Sequence, residues 1–238
     1  MAVDTSPKPN GLKVALDTIV APKEAFDSIR IAPTWGWAFL IVLVLTLATS
    51  YLVTPAVTHG IQSDWPNTVA KNATLSGLSA DEQQSRLALS VKIASFVWMF
   101  TPLFVLFGLV IGTVIMLIFN ALGHGDGSFG KYWAAQCNIA LTNSVGGIVL
   151  TAIVFARGAD SFTTAASVQE ALPNLGMLVP GAGKLHALFA TFTPFTLWAA
   201  ALVIVALTVI GRVPRVQAWL AGILAFILPG AIAVAFTP

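Results

Sequence analysis

The residues whose types could do chemistry are few, and several of them lie between two long apolar segments. Residues 123–127 read Gly-His-Gly-Asp-Gly, and Lys131 follows them. A Walker-type phosphate cradle needs a Gly-rich loop that ends in Gly-Lys-Ser/Thr, and a dinucleotide fingerprint needs Gly-x-Gly-x-x-Gly after a strand. This stretch has neither spacing. His124 and Asp126 also lack further nearby ligands for a metal ion. The pattern therefore favours a turn that ends one helix and begins the next.

The composition indicates that this turn belongs to a membrane protein. Of the 238 residues, 57% are hydrophobic and 9% are charged, and the mean hydropathy is +0.85. A soluble domain carries about 25% charged residues. The net charge of +2 and the lack of a Lys/Arg cluster argue against a nucleic-acid partner. The single cysteine, Cys137, excludes an intrachain disulfide. The sequence predicts an all-α, polytopic membrane protein.

Five apolar segments reach the roughly 20 residues that a helix needs to cross the hydrocarbon layer. Their approximate bounds are 35–57, 93–122, 132–155, 189–210 and 216–236. Pro102 and Pro229 fall inside spans, where neighbouring helices tolerate a kink. We therefore expect one five-helix transmembrane domain over residues 33–238, preceded by an N-terminal arm over residues 1–32.

The basic residues near the span ends give the orientation. With five spans, one side of the membrane holds Lys8, Lys13, Lys23, Arg30, Lys131, Arg212 and Arg215. The other side holds Lys71, Arg86, Lys92, Arg157 and Lys184. The larger and denser basic set predicts an inside N-terminus and an outside C-terminus. The Ala-rich composition and compact loops favour a bacterial cytoplasmic (inner) membrane.

The arm is predicted to form two short amphipathic helices. On the first, Leu12, Leu16, Ile19 and Val20 share one face, and Lys13 and Asp17 are turned away from it. Pro22 is a favourable first residue for the second. The arm either lies in the headgroup layer or packs on the helix bundle, and the sequence leaves both alternatives open.

Two segments on the outer side also carry local signals. Residues 79–82 read Ser-Ala-Asp-Glu, which is a capping box, and they predict a polar helix that continues into the second span. Residues 172–183 are apolar but contain two prolines. Because this stretch is too short to cross, we expect it to dip into the outer interface or to lie along it.

The third span carries small and polar residues at helical spacing. They are Gln136, Ala140, Asn143 and Gly147, and the second span offers Gly108 and Gly112 opposite them. Small residues permit close helix approach, and amides bond across helices in lipid. This set is either a helix-packing face or a polar pathway. If it is packing, we expect the stability losses to fall in the order Gly112→Leu, Asn143→Leu, Leu109→Ala.

Several motifs resemble those of one family. They are a Pro-x-x-x-Phe stretch (Pro22 to Phe26), a proline before the first span (Pro33), a Gly-rich turn (123–130) and an aromatic-x-x-Trp pair (Phe195 and Trp198). Their order and spacing resemble the Yip family, the Ypt/Rab-interacting integral membrane proteins, in its prokaryotic form. The resemblance runs from about residue 17 to 236 and implies five spans with an inside N-terminus. It implies a small-GTPase-linked role only for eukaryotic members, and we do not extend a GTPase partner to this chain.

These observations favour a non-enzymatic membrane scaffold or adaptor that binds lipids, partner membrane proteins or a second copy of itself. The alternative is a small permease, channel or lipid-translocating protein that uses the polar face of the third span. No charged side chain occupies the central part of a span, although proton-coupled transporters usually need one. The sequence has no HExxH or GxSxG motif and no paired carboxylates at an interface. We therefore expect neither enzymatic activity nor a cofactor.

Overall fold

The structure is a computed structural model, and it describes residues 10–179 and 183–236. Within those ranges the regular elements are all helical. The α-helices are, in chain order, α1 (Gly11–Val20), α2 (Pro22–Ile31), α3 (Gly36–Ser63), α4 (Trp65–Lys71), α5 (Ala73–Ser76), α6 (Ala80–Phe96), α7 (Thr101–Leu122), α8 (Phe129–Arg157), α9 (Ala165–Gln169), α10 (Lys184–Ala190), α11 (Pro194–Ile210) and α12 (Arg215–Phe236). Short 3-10 turns cover Val97–Phe100, Ala159–Ser161 and Leu175–Leu178. The predicted all-α fold is confirmed.

The apolar helices fit a multi-pass membrane protein. Among the described residues, four helical segments are long and apolar enough to cross a membrane: Gly36–Ser63, Ala80–Leu122, Phe129–Arg157 and Arg215–Ala235. A fifth span results if α10 and α11 are counted together, although the pair is bent by 64°. The predicted polytopic architecture is confirmed. The fourth span, which the sequence predicted as one continuous helix, is instead broken between Ala190 and Pro194.

The segment before the second span folds as its capping box predicts. The Ser79 hydroxyl accepts a hydrogen bond from the Glu82 N–H, and the Glu82 carboxylate accepts one from the Ser79 N–H. α6 then continues through the 3-10 turn Val97–Phe100 into α7. This turn stands directly before Pro102, whose ring clashes with the carbonyl of the residue four positions earlier. Of the apolar stretch 172–183, residues 180–182 lie outside the described part of the chain.

The chain divides into two compact units. The first comprises the residues up to Leu43, Val105–Val145 and the residues from Asn174 onward. The second comprises Val44–Phe104 and Gly146–Pro173. α8 belongs to both units: its first 17 residues lie in the first unit, and its remaining residues lie in the second.

In the first unit the arm forms the two predicted helices, and both pack on the bundle. Ala25, Phe26 and Ile29 of α2 are fully buried in a core shared with α7, α8, α11 and α12. Val14, Ala15 and Thr18 of α1 are buried as well. Both helices of the arm therefore pack on the bundle through their buried sides, which is the second of the two alternatives.

α1 lies alongside the spanning helices of the first unit. Ala15 belongs to one packed cluster with Leu109 of α7 and Leu141 of α8. Leu141 lies about 18 Å along the axis of α8 from Phe129, because a helix rises 1.5 Å per residue. At Ala15, α1 therefore reaches well along α8, whereas α2 packs in the cluster that contains Tyr132 near the start of that helix. The Asn10 side-chain oxygen caps α1 by accepting hydrogen bonds from the N–H groups of Leu12 and Lys13.

In the second unit, a short segment after α8 packs on the facing helices. Phe162 and Val168 are fully buried, and they share an apolar cluster with residues of α3 and α8. The helix members of this cluster are Val53, Ala56, Leu150 and Val154. A Cβ at Gly60 of α3 would overlap the backbone of Thr164, so glycine is required at this close approach.

Candidate functional site

The structure separates the small and polar residues that the sequence placed on one face. Gly112 of α7 lies against Gln136 of α8, so closely that a Cβ on Gly112 would overlap the Gln136 amide. A Cβ on Gly108 would meet no atom within 4 Å. Asn143 is exposed. Gly112 and Gln136 are therefore brought together, whereas Gly108 and Asn143 face outward.

The remaining members of this predicted face have other surroundings. Ala140 packs at the edge of the cluster that contains Leu109 and Cys137. Gly147 lies in the second unit, where it faces Thr49 of α3. Burial favours a larger stability loss from Leu109→Ala than from Asn143→Leu, because Leu109 is only 2% exposed while Asn143 is exposed. The spacing of these residues is visible in the sequence, whereas the rotation of each helix against its neighbours is not.

Sequence reasoning missed Asn138, which is the fully buried amide of α8. Its side-chain nitrogen donates to the carbonyl oxygen of Thr34 at 3.1 Å and to that of Ala134 at 2.8 Å. The first bond fixes the chain just before α3 against α8. A polar residue in the middle of an apolar helix was the available signal, but Asn138 lies off the row that starts at Gln136.

The Gly-rich stretch is a turn organised by a buried asparagine. Asn120, near the end of α7, is 8% exposed. Its side-chain oxygen accepts from the Tyr132 hydroxyl at 2.7 Å and from the Gly127 N–H at 3.1 Å. Its nitrogen donates to the carbonyls of Gly125 and Gly127. These four bonds use both donors and two acceptor sites of the amide, and they join the end of α7 to the start of α8.

The same turn is tied to the connection between α11 and α12. The Asp126 N–H donates to the Gly211 carbonyl at 3.0 Å. A Cβ on Gly211 would overlap the Tyr132 hydroxyl, so only glycine permits this approach. The carboxylate of Asp126 also lies 3.9 Å from the guanidinium of Arg212, with both side chains largely exposed. The turn is therefore part of a contact between two connections that are distant in sequence.

The two ligand-type side chains of the turn do not converge on a site. His124 is exposed, with a backbone φ of 52°, and Asp126 faces Arg212. Over residues 10–179 and 183–236, no group of three or more His, Cys, Asp or Glu side chains is arranged to hold a metal ion.

The break in the fourth span is stabilised by threonine side chains. The Thr196 hydroxyl donates to the carbonyl of Thr191 at 3.1 Å, and the Thr193 hydroxyl accepts from the Thr196 N–H at 3.1 Å. Pro194, the first residue of α11, has no N–H to satisfy. Irregular backbone at membrane depth is tolerated where such partners exist. Phe192 stacks on Phe226 of α12, with ring centroids 4.4 Å apart.

Beside this break the first unit contains a cavity of about 240 Å³. Its lining residues come from α1, α8 and the start of α11, and they are Ile19, Thr142, Val145, Pro194, Phe195 and Trp198. Phe195 and Trp198 form the aromatic-x-x-Trp pair of the sequence. Gln136 and Asn143 are not among the lining residues.

Comparison with protein-family models matches residues 16–237 to the Yip1 domain. The chain belongs to the Yip1 domain family. Comparison with curated proteins and with solved structures finds no match. The family resemblance seen in the sequence is confirmed. The Yip1 domain begins within α1, so it contains α2, which the sequence division had assigned to the arm, together with the 123–127 turn and the broken span.

Proposed function

We propose that this Yip1-domain protein is a non-enzymatic membrane scaffold or adaptor. It binds membrane lipids, and it associates with partner membrane proteins or with a second copy of itself. The proposal assigns it to a bacterial cytoplasmic (inner) membrane, with the N-terminus inside and the C-terminus outside, on the basis of its basic residues and its composition. It includes no small-GTPase partner, no nucleic acid and no cofactor.

The observation that carries this proposal is the division of α1 into two apolar sides. One side packs on the bundle through Val14 and Ala15. The other side leaves Leu12 at 42%, Leu16 at 61% and Val20 at 79% exposure. An apolar row on a helix that is fixed to a membrane bundle fits contact with lipid. A spanning helix needs exposed apolar residues to face lipid, but α1 does not cross the membrane. Its exposed apolar row therefore needs a separate explanation.

The charged residues of α1 support the same orientation. Lys13 forms an ion pair with Asp17 one turn later. Long cationic side chains can cover apolar surface with their methylene groups while their charge stays at the polar layer. A helix with one packed side, one lipid-facing row and one paired charged edge suits a scaffold that contacts both the bundle and the surrounding lipid.

The alternative function is a small permease, channel or lipid-translocating protein. It is favoured by the side-chain oxygens of Gln136 and Asn138, which are buried and have no hydrogen-bond partner in the described part of the chain. Such atoms are normally satisfied, often by water. The close approach of Gln136 to Gly112 and the exposure of Asn143 favour packing over a polar pathway.

Spin labels on the arm test the lipid contact. In a Cys137→Ala background, nitroxides are attached singly at Leu16, Val20, Asn67 and Lys71 after substitution by cysteine, in the full chain reconstituted into phospholipid vesicles. The labels at Leu16 and Val20 should be relaxed mainly by oxygen, which concentrates in lipid. Those at Asn67 and Lys71, which are exposed residues outside the candidate spans, should be relaxed mainly by a water-soluble nickel complex. A Leu16 label with the accessibility of the Lys71 label would contradict the proposal.

A transport measurement separates the scaffold from the alternative. Vesicles that contain the protein should show no faster ion leakage, and no faster transbilayer movement of a fluorescent phospholipid, than protein-free vesicles. A flux that Gln136→Leu abolishes without lowering the midpoint of thermal unfolding would overturn the scaffold function in favour of the pathway. Asn143→Leu is the matched control, because Asn143 is an exposed amide on the same helix.

A further inference from the structure

The cavity beside the break in the fourth span has an apolar lining. Five of its six lining residues are Ile, Val, Pro, Phe and Trp. The sixth is Thr142, whose hydroxyl donates to the carbonyl oxygen of Ile139 at 2.8 Å within α8. A hydroxyl that is already paired in its own helix offers little to a polar ligand, because burying a polar group without a partner is costly. The cavity therefore suits an apolar group.

The position of the cavity along α8 identifies the source of that group. Thr142 and Val145 lie about 20 and 24 Å from the start of α8, whose full length is about 43 Å. They therefore lie at the middle of a helix that is long and apolar enough to span the membrane. At that depth the surrounding medium is hydrocarbon. The apolar groups available there are the acyl chains of membrane lipids.

The size of the cavity sets how much of a lipid it takes. An apolar cavity of about 150 Å³ holds a benzene molecule, so the cavity of about 240 Å³ has room for roughly nine or ten carbon atoms by proportion. An α-helix with its side chains is about 10–12 Å across, so a helix would reach into this volume only with a side chain. One acyl-chain segment does fit.

The residues next to the lining connect the cavity with the lipid phase. Val20 follows Ile19 on α1, and Leu197 precedes Trp198 on α11. Both are exposed. An acyl chain in the surrounding bilayer meets apolar surface from these residues to the lining residues beside them, so it need not cross a polar barrier.

We propose that this cavity is a binding site for one acyl chain of a membrane phospholipid, which it holds between α1, α8 and the aromatic pair Phe195 and Trp198. The proposal rests on the proposed function in that it makes the protein a lipid-binding one. It adds a defined binding site, and it specifies that the site binds the acyl chain of the lipid and not the headgroup. The arm then contacts lipid in two ways, through its exposed row and through Ile19.

Photolabelling of the full chain tests the site. The protein is reconstituted into vesicles of phosphatidylethanolamine and phosphatidylglycerol that contain a small fraction of phosphatidylcholine with a diazirine at the middle of one chain. After illumination, mass spectrometry gives the yield of adduct at each residue. The exposed residues Phe107 and Ile111 of α7 report the labelling by bulk lipid. We expect the yield at Thr142, Val145 and Trp198 to exceed theirs at least tenfold.

A variant that fills the cavity completes the test. Val145→Phe should lower the yield at Thr142 and Trp198 to that of Phe107. Leu197→Phe adds a ring to an exposed neighbour of the lining and should leave the yield unchanged. Equal yields at the cavity and at Phe107 in the unsubstituted protein would overturn the proposal, whether or not Val145→Phe folds. So would full labelling of Thr142 in a folded Val145→Phe protein.

The two proposals fail separately. The spin labels at Leu16 and Val20 report the exposed row, and their accessibility does not depend on whether the cavity is filled. Lipid-exposed labels together with bulk-level photolabelling would remove the acyl-chain site and keep the scaffold. A label at Leu16 that is exposed to water would remove the lipid contact of the row, whatever the photolabelling yield.

Discussion

The connections at the two ends of α8 are both short, and they are held by opposite means. The turn before α8 is held by the buried amide of Asn120, which makes four hydrogen bonds to the turn and to Tyr132. The segment after α8 is held by Phe162 and Val168, which are fully buried in an apolar cluster. A long-range side-chain hydrogen bond comes from His59, whose Nδ1 lies 3.1 Å from the Phe162 carbonyl oxygen.

The difference indicates what each connection tolerates. Hydrogen bonds have fixed directions, so the turn around Asn120 is specified by the identity of its polar atoms and by the absence of a Cβ on Gly211. Apolar burial is non-directional and depends on volume, so the segment after α8 is specified by the size of Phe162. The turn should be sensitive to changes of chemistry, and the segment to changes of volume.

The largest effect is expected from Phe162→Ala. The substitution leaves a cavity under the segment, and such losses cost about 3–5 kcal/mol. Hydrogen exchange of residues 158–169 should accelerate, and trypsin should cleave after the exposed Arg157. Exchange of the 123–128 turn should stay unchanged. Phe155→Ala, at an exposed phenylalanine near the same end of α8, is the control and should change neither rate.

Asn120→Leu is expected to have the next largest effect. It keeps the volume of the side chain but leaves the Tyr132 hydroxyl and the Gly127 N–H without an acceptor, at a cost of about 2–4 kcal/mol. The midpoint of thermal unfolding in detergent should fall, and exchange at 123–128 should accelerate while that at 158–169 does not. Asn143→Leu makes the same chemical change at an exposed site. Its midpoint of thermal unfolding and its exchange at 123–128 should equal those of the unsubstituted protein within error. Equal effects of the two variants would refute the polar account of the turn.

Some features of the fold could be predicted from the sequence, and others could not. Spacing identified the helices, the capping box at Ser79 and the turn at 123–127, because each depends on residues close together in the chain. The pairing of the turn with Gly211 depends on a contact between distant segments, and no local pattern encodes it. The inward position of Leu109 and the outward position of Asn143 depend on helix rotation, which hydropathy alone leaves undetermined.

The broken fourth span was readable in principle. Thr193, Pro194 and Thr196 have the pattern of a helix N-terminus, with a capping residue, a proline at the first position and a partner three residues after the cap. The continuous apolar character of residues 189–210 outweighed that signal. The local capping pattern was the better guide, because the threonine hydroxyls satisfy the backbone groups that a break leaves open.

Tyr132→Phe should have a smaller effect than either earlier variant. It removes the hydroxyl that donates to the Asn120 side-chain oxygen at 2.7 Å. The hydrogen bond from the Gly127 N–H to the same oxygen is retained. The expected loss of stability is about 1 kcal/mol. A double-mutant cycle with Asn120→Leu should be strongly non-additive, since both changes remove the same bond. Additive losses would show that the hydroxyl acts elsewhere.

His59→Phe tests the polar component of the apolar connection. Because a carbonyl oxygen only accepts, the Nδ1 of His59 donates to Phe162, and its removal should cost about 0.5–1 kcal/mol. Exchange of residues 158–169 should accelerate far less than in Phe162→Ala. Ser63→Ala, which removes the hydroxyl 3.4 Å from the same nitrogen, is the control. An effect as large as that of Phe162→Ala would mean that the segment is held mainly by the hydrogen bond.

The smallest expected change is a gain. His124 has a φ of 52°, a left-handed conformation that costs an ordinary residue about 1 kcal/mol relative to glycine. His124→Gly should therefore raise the midpoint of thermal unfolding slightly, or leave it unchanged where the greater freedom of the unfolded chain offsets the gain. His124→Ala keeps a Cβ in the same conformation and should give no increase. A clear fall in the glycine variant would assign the His124 side chain a role in the turn.

The length of α11 has a consequence for the bilayer itself. Its 17 residues cover about 25 Å, whereas the hydrocarbon core of a typical bilayer is about 30 Å thick. The 29 residues of α8 exceed that thickness with ease. Lipids beside α11 therefore meet a shorter apolar wall than lipids beside α8, and a short wall is accommodated by local thinning of the membrane. The break after Ala190 therefore produces hydrophobic mismatch for the lipids beside α11.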